Sequence, residues 1–351
     1  MSETNHSNPS GKPSDRKDHR VDDPLVQSIW DDVANSPIHS LWDFEGTSPK
    51  LVMQRTFKSF MDDNLLSRAA ELGYYFLFAL FPTLVTASSI LGLAAKKASV
   101  IYVHLLNYLA IVIPHSAFQM VVETFNQTTQ ASSGGKITLG LVAALWSASV
   151  GFSSIQDGMN TVYKVKETRP YWKARGSAIL VTLLLSLIVT LNLSALLGGD
   201  FTAKYARTHL APRWLSWIAM AGVRGLAWTV AALMLMLLFS TIYYYAPDLK
   251  SKCWHWLTPG AAIGIFGWIV ASLGLRLYLH YFDSYSVTYG SLGAVIILLT
   301  WFYITGLMLL FGAEINSEIA ALVTERKLKA AGALPPEATT DEKHPVAATG
   351  G

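Results

Sequence analysis

Charge is scarce in this sequence. Only 15% of its 351 residues are Asp, Glu, Lys or Arg, against about a quarter in an ordinary soluble domain. A water-soluble globule of this length is thereby excluded. Cysteine is nearly absent: Cys253 stands alone, which rules out an internal disulfide and any multi-thiolate metal site. The net charge of +3 is too small to mark a nucleic-acid partner. Residues 1–50 are polar, rich in Ser, Asp, His and Pro. They lack the early apolar core of a cleavable signal peptide, so the first membrane span is expected to direct insertion itself. Catalytic motifs are missing too: there is no HExxH, Walker loop, GxSxG or paired CxxC, and the nine histidines are scattered through tails and loops. No catalytic residue, metal site or cofactor is therefore expected, since ligands would have to be assembled from distant segments.

What is abundant is apolar surface. Hydrophobic residues make up 52% of the chain and the mean hydropathy is +0.34. The charges crowd into the ends and a few loops, leaving long uncharged stretches, and about twenty apolar helical residues cross a hydrocarbon core of roughly 30 Å. The pattern predicts an all-α polytopic membrane protein. Six transmembrane helices are expected near 71–94, 137–157, 175–198, 225–245, 258–281 and 290–314, within a domain covering 71–318. Val100–Ile113 is apolar but short, contains His104 and Asn107 and stops at Pro114, which suits an interfacial or re-entrant helix and favours six crossings over seven. Two amphipathic interfacial helices accompany the spans. One lies within 51–70, with Met53, Phe57, Phe60, Met61 and Leu65 at helical spacing and Arg55, Lys58, Asp62 and Asp63 on other faces. The other follows a possible capping box at Ser116-Ala117-Phe118-Gln119 and puts Phe118, Val121, Val122 and Phe125 on one face. Residues 1–50 read as a flexible N-terminal tail whose Ile29, Trp30, Val33, Leu41 and Trp42 touch the membrane surface. Residues 319–351 read as a C-terminal tail.

Orientation follows from the basic residues. With both termini inside, most of the 27 lysines and arginines fall on the cytoplasmic side, including Lys164, Lys166, Arg169, Lys173 and Arg175 in one short loop. Lys96, Lys97, Lys136, Lys204, Arg207 and Arg213 fall opposite. The positive-inside rule then places both termini in the cytoplasm.

Ionisable groups at membrane depth are the candidates for function, because burying a charge is costly and such groups face a partner or a wet cavity. Tracing the spans places Glu71, Asp157, Asn160 and Glu314 at inner ends, with Arg169 close by, and Arg224, Arg276 and Asp283 at outer ends. They read either as a polar pathway or as interfacial pairs, the carboxylates bound by Arg169, Lys173 or Arg175 and the arginines snorkelling outward. Arg224 and Arg276 fall at similar depth on the same side, which would suit an anionic group. Small residues permit close helix contact: Gly140, Ala144 and Ala148 form one stripe, Ser147 and Gly151 another, and Gly260 and Gly264 a GxxxG, with Gly290 and Gly312 as further packing positions. Pro82, mid-span, reads as a static bend or a hinge.

Several stretches together resemble one family. They are Ala70-Glu71-Leu72-Gly73-Tyr74-Tyr75 through Phe81-Pro82, Asn160-Thr161-Val162-Tyr163 with Arg169 downstream, Tyr245-Ala246-Pro247, Pro259-Gly260-Ala261, Tyr289-Gly290-Ser291-Leu292-Gly293-Ala294, Trp301, and Gly312-Ala313-Glu314-Ile315-Asn316. In order and spacing they resemble the YihY/virulence factor BrkB family of bacterial inner-membrane proteins, over about residues 50–320. The resemblance implies six transmembrane helices, a place in the bacterial cytoplasmic membrane, and a transporter role with lipids or other envelope amphiphiles as cargo. It brings no agreed active site. The family's older ribonuclease BN-like label finds no metal-ligating His/Asp cluster here. The expected function is a transporter or flippase-like protein for a lipid or other anionic amphiphile, with membrane lipids as partners. A non-transporting scaffold is the alternative, and a membrane-bound hydrolase or nuclease comes last.

Overall fold

The computed structural model describes residues 24–35, 42, 48–93, 118–119, 122–123, 134–209, 213–281 and 291–334. Val100–Ile113 and most of the second expected interfacial helix lie outside the described residues, as do Asp283 and Gly290. The long elements are all helices: α1 Pro24–Asn35, α2 Pro49–Asp62, α3 Leu65–Leu93, α4 Gly134–Val162, α5 Tyr171–His209, α6 Arg213–Tyr245, α7 Pro259–Tyr281 and α8 Ser291–Ala330. Four segments are long and apolar enough to cross a membrane: Tyr171–Asn192, Trp217–Tyr245, Pro259–Tyr281 and Leu292–Ala330. The helices α3 and α4 have 29 residues each.

Local chemistry sets the helix ends. Pro49 opens α2 with Ser48 at its N-cap, where a missing N–H costs nothing. Asn64, at φ 53°, makes the turn between α2 and α3; Asn tolerates this left-handed conformation better than most residues. Lys164, at φ 54°, ends α4, and the Val165 N–H returns to the Asn160 carbonyl at 2.9 Å. Gly332, at φ 71°, closes α8.

The helix α8 forms the axis of the fold. It packs against α1, α2, α3, α4 and α7, while the chain from α3 to α8 also packs neighbour against neighbour, α5 most closely on α6. Leu72, Met159, Leu310, Ile315 and Ile319 are fully buried at the centre. Small residues bring the backbones together: a Cβ on Gly260 would collide with the Gly312 carbonyl oxygen and the Asn316 amide, and one on Gly312 would strike the Tyr243 hydroxyl. The contact of α7 with α8 therefore requires glycine on both helices. Outward faces are apolar: Leu180, Leu187, Leu226, Trp228, Phe266 and Leu273 are exposed, an arrangement suited to hydrocarbon.

Three observations differ from the sequence pattern. Residues 24–35, within the stretch expected to be a tail, form α1, whose Ile29, Trp30 and Val33 are buried; their helical spacing makes one apolar face, and α1 packs on α8. Residues 319–330 continue α8, with Ile319 to Val323 buried beneath α1 and α2. On α2, Phe60 is buried while Met53, Phe57 and Met61 stay exposed, and Arg55, expected on an outward polar face, is buried. Its Nη1 meets Glu325 Oε2 at 3.0 Å. A charged side chain turns inward when a carboxylate waits there.

Candidate functional site

Two loops meet at one end of the bundle, 163–170 after α4 and 246–258 after α6. Asn160, in the last turn of α4, ties them together. Its Nδ2 donates to Glu167 Oε2 at 2.9 Å, and its Oδ1 accepts the Asp248 backbone N–H at 2.8 Å. Arg169 forks onto Glu167, with Nε to Oε1 at 2.6 Å and Nη2 to Oε2 at 2.7 Å, and reaches the Ala246 carbonyl at 3.3 Å. Asp248 Oδ2 accepts the Thr168 N–H at 2.7 Å and its hydroxyl at 2.6 Å.

This pairing sets the local electrostatics. The Arg169 guanidinium, through its hydrogen bonds, holds the Glu167 carboxyl below the usual carboxylate range, and Glu167 in turn raises Arg169. Burial alone would push Asp248 up, but the two Thr168 hydrogen bonds and Arg169 outweigh it, and the net direction is down. Lys252 is pushed down, first by burial and then by Arg169. Its ammonium donates to the Pro247 carbonyl at 2.7 Å and lies 6.0 Å from the Tyr244 ring.

Lys252 also lines a half-open cavity of about 80 Å³, walled by Tyr163, Ser240, Tyr243, Tyr244, His255, Thr258 and Asn316, with Val33 of α1 at its edge. A volume of this size is enough to admit ordered water or a compact group. Some of its polar lining is already committed. Asn316 accepts the Gly260 N–H at 2.9 Å and donates to Thr258 Oγ1 at 2.9 Å, and the Ser240 hydroxyl donates to the Trp256 carbonyl at 2.6 Å. With one bond to Pro247, the Lys252 ammonium retains further donor capacity. The cavity therefore has one cationic donor in its wall, with the Asp248 and Glu167 carboxylates close enough to act on it.

Of the residues singled out in the sequence, the structure brings Asn160 and Arg169 into one network and buries Glu314 in α8. Asp157 is exposed on α4, and Glu71 pairs with Arg68 at 3.3 Å, both side chains about two-fifths exposed. Arg224 and Arg276 are exposed on α6 and α7. Arg175 stacks on Trp146 at 4.3 Å and donates to Ser153 rather than to a carboxylate candidate. Gly151 makes ordinary van der Waals contact with Tyr75 and Phe76, and Gly264 approaches the Met308 carbonyl. The backbone is helical on both sides of Pro82. Glu167, Asp248 and Lys252 emerge as site residues only from the structure, and Tyr163, already part of a family stretch, gains its place in the cavity wall there. Their signal in the sequence was position, since each lies within a few residues of Asn160 or of Tyr245-Ala246-Pro247. Among the described residues no group of three or more His, Cys, Asp or Glu could hold a metal ion.

Comparison with known proteins gives this arrangement a context. Over 264 residues, 74% of this chain and 90% of the relative, the chain is 33% identical to the ribonuclease-like protein YfkH of Bacillus subtilis. It is 26% identical over 270 residues to the UPF0761 membrane protein Smlt0865 of Stenotrophomonas maltophilia and 27% identical over 271 residues to a UPF0761 membrane protein of Xanthomonas oryzae. The matches span 59% and 60% of the lengths of those last two relatives. No solved structure matches the chain. The sequence profile described as "Virulence factor BrkB" matches residues 56–335. With these relatives and its apolar helices, the chain is a multi-pass membrane protein and belongs to the virulence factor BrkB family.

Proposed function

We propose that the protein is a flippase-like transporter of the bacterial cytoplasmic membrane, moving a lipid or other anionic amphiphile across it. The observation that carries this reading is the half-open cavity beside Lys252, a recess with one cationic donor in a largely apolar wall, in a bundle whose outer faces are apolar. A headgroup fits such a recess while its chains remain in hydrocarbon. In this reading α3 and α4 join the four apolar helices to make six crossings, and both termini are cytoplasmic. The cavity then faces inward with the loops that hold Lys164, Arg169 and Lys252, where the positive-inside rule puts basic residues. The protein is not an enzyme in this reading, and RNA cleavage by a purified sample should not exceed that of a matched membrane-protein preparation.

The test is reconstitution into liposomes of phosphatidylethanolamine and phosphatidylglycerol carrying a trace of fluorescent phosphatidylglycerol, with dithionite quenching of the outer leaflet. Wild-type protein should bring inner-leaflet label to the surface faster than protein-free vesicles, and Lys252→Gln should slow this several-fold. Movement no faster than in protein-free vesicles removes the transport reading and leaves the scaffold.

A further inference from the structure

Glu314 of α8 has no solvent exposure, and neither of its carboxylate oxygens has a hydrogen-bond partner among the described residues. The groups that act on it come from several elements: Asp63 beyond α2, Lys164 and Tyr163 beyond α4, and Glu318 one turn along α8. None of them neutralises it. The Lys164 ammonium is bound to Asp63, and Glu318 accepts the Ser59 hydroxyl at 2.5 Å and adds negative charge. On α3, Arg68 and Glu71 pair with each other near the surface. The Tyr243 hydroxyl of α6 donates to the Leu309 carbonyl at 3.0 Å, and the facing start of α7, residues 259–265, carries no ionisable group.

An isolated carboxylate so enclosed loses its hydration and gains no donor, a cost far larger than that of taking up a proton. A metal ion would need several ligands, and the described residues offer no such group. A proton needs only one carboxyl oxygen. Open space lies close by: Tyr163, within electrostatic range of Glu314, is part of the cavity wall.

We propose that Glu314 is a proton-binding site on the central helix, neutral in the folded resting state and releasing its proton only when the bundle rearranges to admit water or a donor. This gives the bundle a second ligand next to its cavity, the one a proton-driven cycle requires. The proposal stands apart from the transport reading, because it is read at the carboxyl itself.

The experiment is infrared spectroscopy of the full-length protein in lipid nanodiscs at neutral pH. Wild type should show a carboxylic-acid C=O band that Glu314→Gln abolishes and Glu71→Gln leaves intact. Glu314→Gln copies the neutral form in shape and charge, so its thermal midpoint should be no lower than that of wild type. If Glu314→Gln does not insert, Glu314→Asp takes its place and should shift the band. A spectrum without a carboxylic-acid band, or a band that neither Glu314 variant changes, shows the group to be ionised and overturns the proposal.

Discussion

Arg169 is shared by two carboxylates, forked on Glu167 and 3.4 Å from Asp248, and this makes the loop junction sensitive to acid. Both carboxyls sit below their ordinary values in the folded protein, so the folded state binds fewer protons than the unfolded one as the pH falls. Their contribution to stability is complete above the ordinary carboxylate range, near pH 4, and is lost as pH drops through the lowered folded values. The thermal midpoint of detergent-solubilised protein should therefore fall on acidification, and Glu167→Gln should flatten that fall. An equal slope in wild type and variant would show that the junction does not contribute. At this scale the sequence indicated Asn160 and Arg169 as polar groups at a helix end. It did not indicate Asp248, because their meeting depends on a turn about ninety residues further along the chain.

The helix α2 is held to α8 by a buried pair. The side chains of Arg55 and Glu325 are 7% and 6% exposed, and Lys329 meets the other carboxylate oxygen at 2.8 Å. Removing one member of such a pair leaves a charge buried without its partner, at a cost of about 3–5 kcal/mol, while replacing both with apolar groups of similar size is often close to neutral. Arg55→Met should therefore lower stability, less than the full amount because Lys329 remains. The double variant Arg55→Met, Glu325→Met should recover much of the loss in chemical denaturation of the solubilised protein. A double variant that loses as much as the sum of the singles would show the pair to be uncoupled. The amphipathic pattern of α2 was legible in the sequence. Its inward face was not, because Arg55 counted among the polar positions and only its pairing with Glu325 on α8 turned it inward.

At the scale of the whole molecule, the loops 163–170 and 246–258 are joined directly, through Asn160 to Asp248 and Thr168 to Asp248, as loops on one side of a membrane can be. Each holds basic residues, and the positive-inside rule leads us to propose that their side is the cytoplasmic one. The expected arrangement puts both termini on that side, with the loop of residues 283–289 opposite. Reporter fusions after Ala330 and within residues 283–289 should report opposite compartments, and agreement between them would remove the arrangement of six crossings.

The sequence by itself determined the solvent of this protein. Sparse charge, long apolar stretches and small-residue stripes require helices in a bilayer, because backbone polar groups there must be satisfied within each segment. Its motifs likewise indicated the family. Only the tertiary structure decided which polar residues meet. Glu71 turned to its neighbour Arg68, Asp157 turned outward, Arg55 turned inward, and Glu314 was enclosed without a donor. Helical periodicity gives the face on which a residue lies, whereas its partner depends on how closely two helices approach. Here that approach was set by Gly260 and Gly312, which let α7 settle against α8.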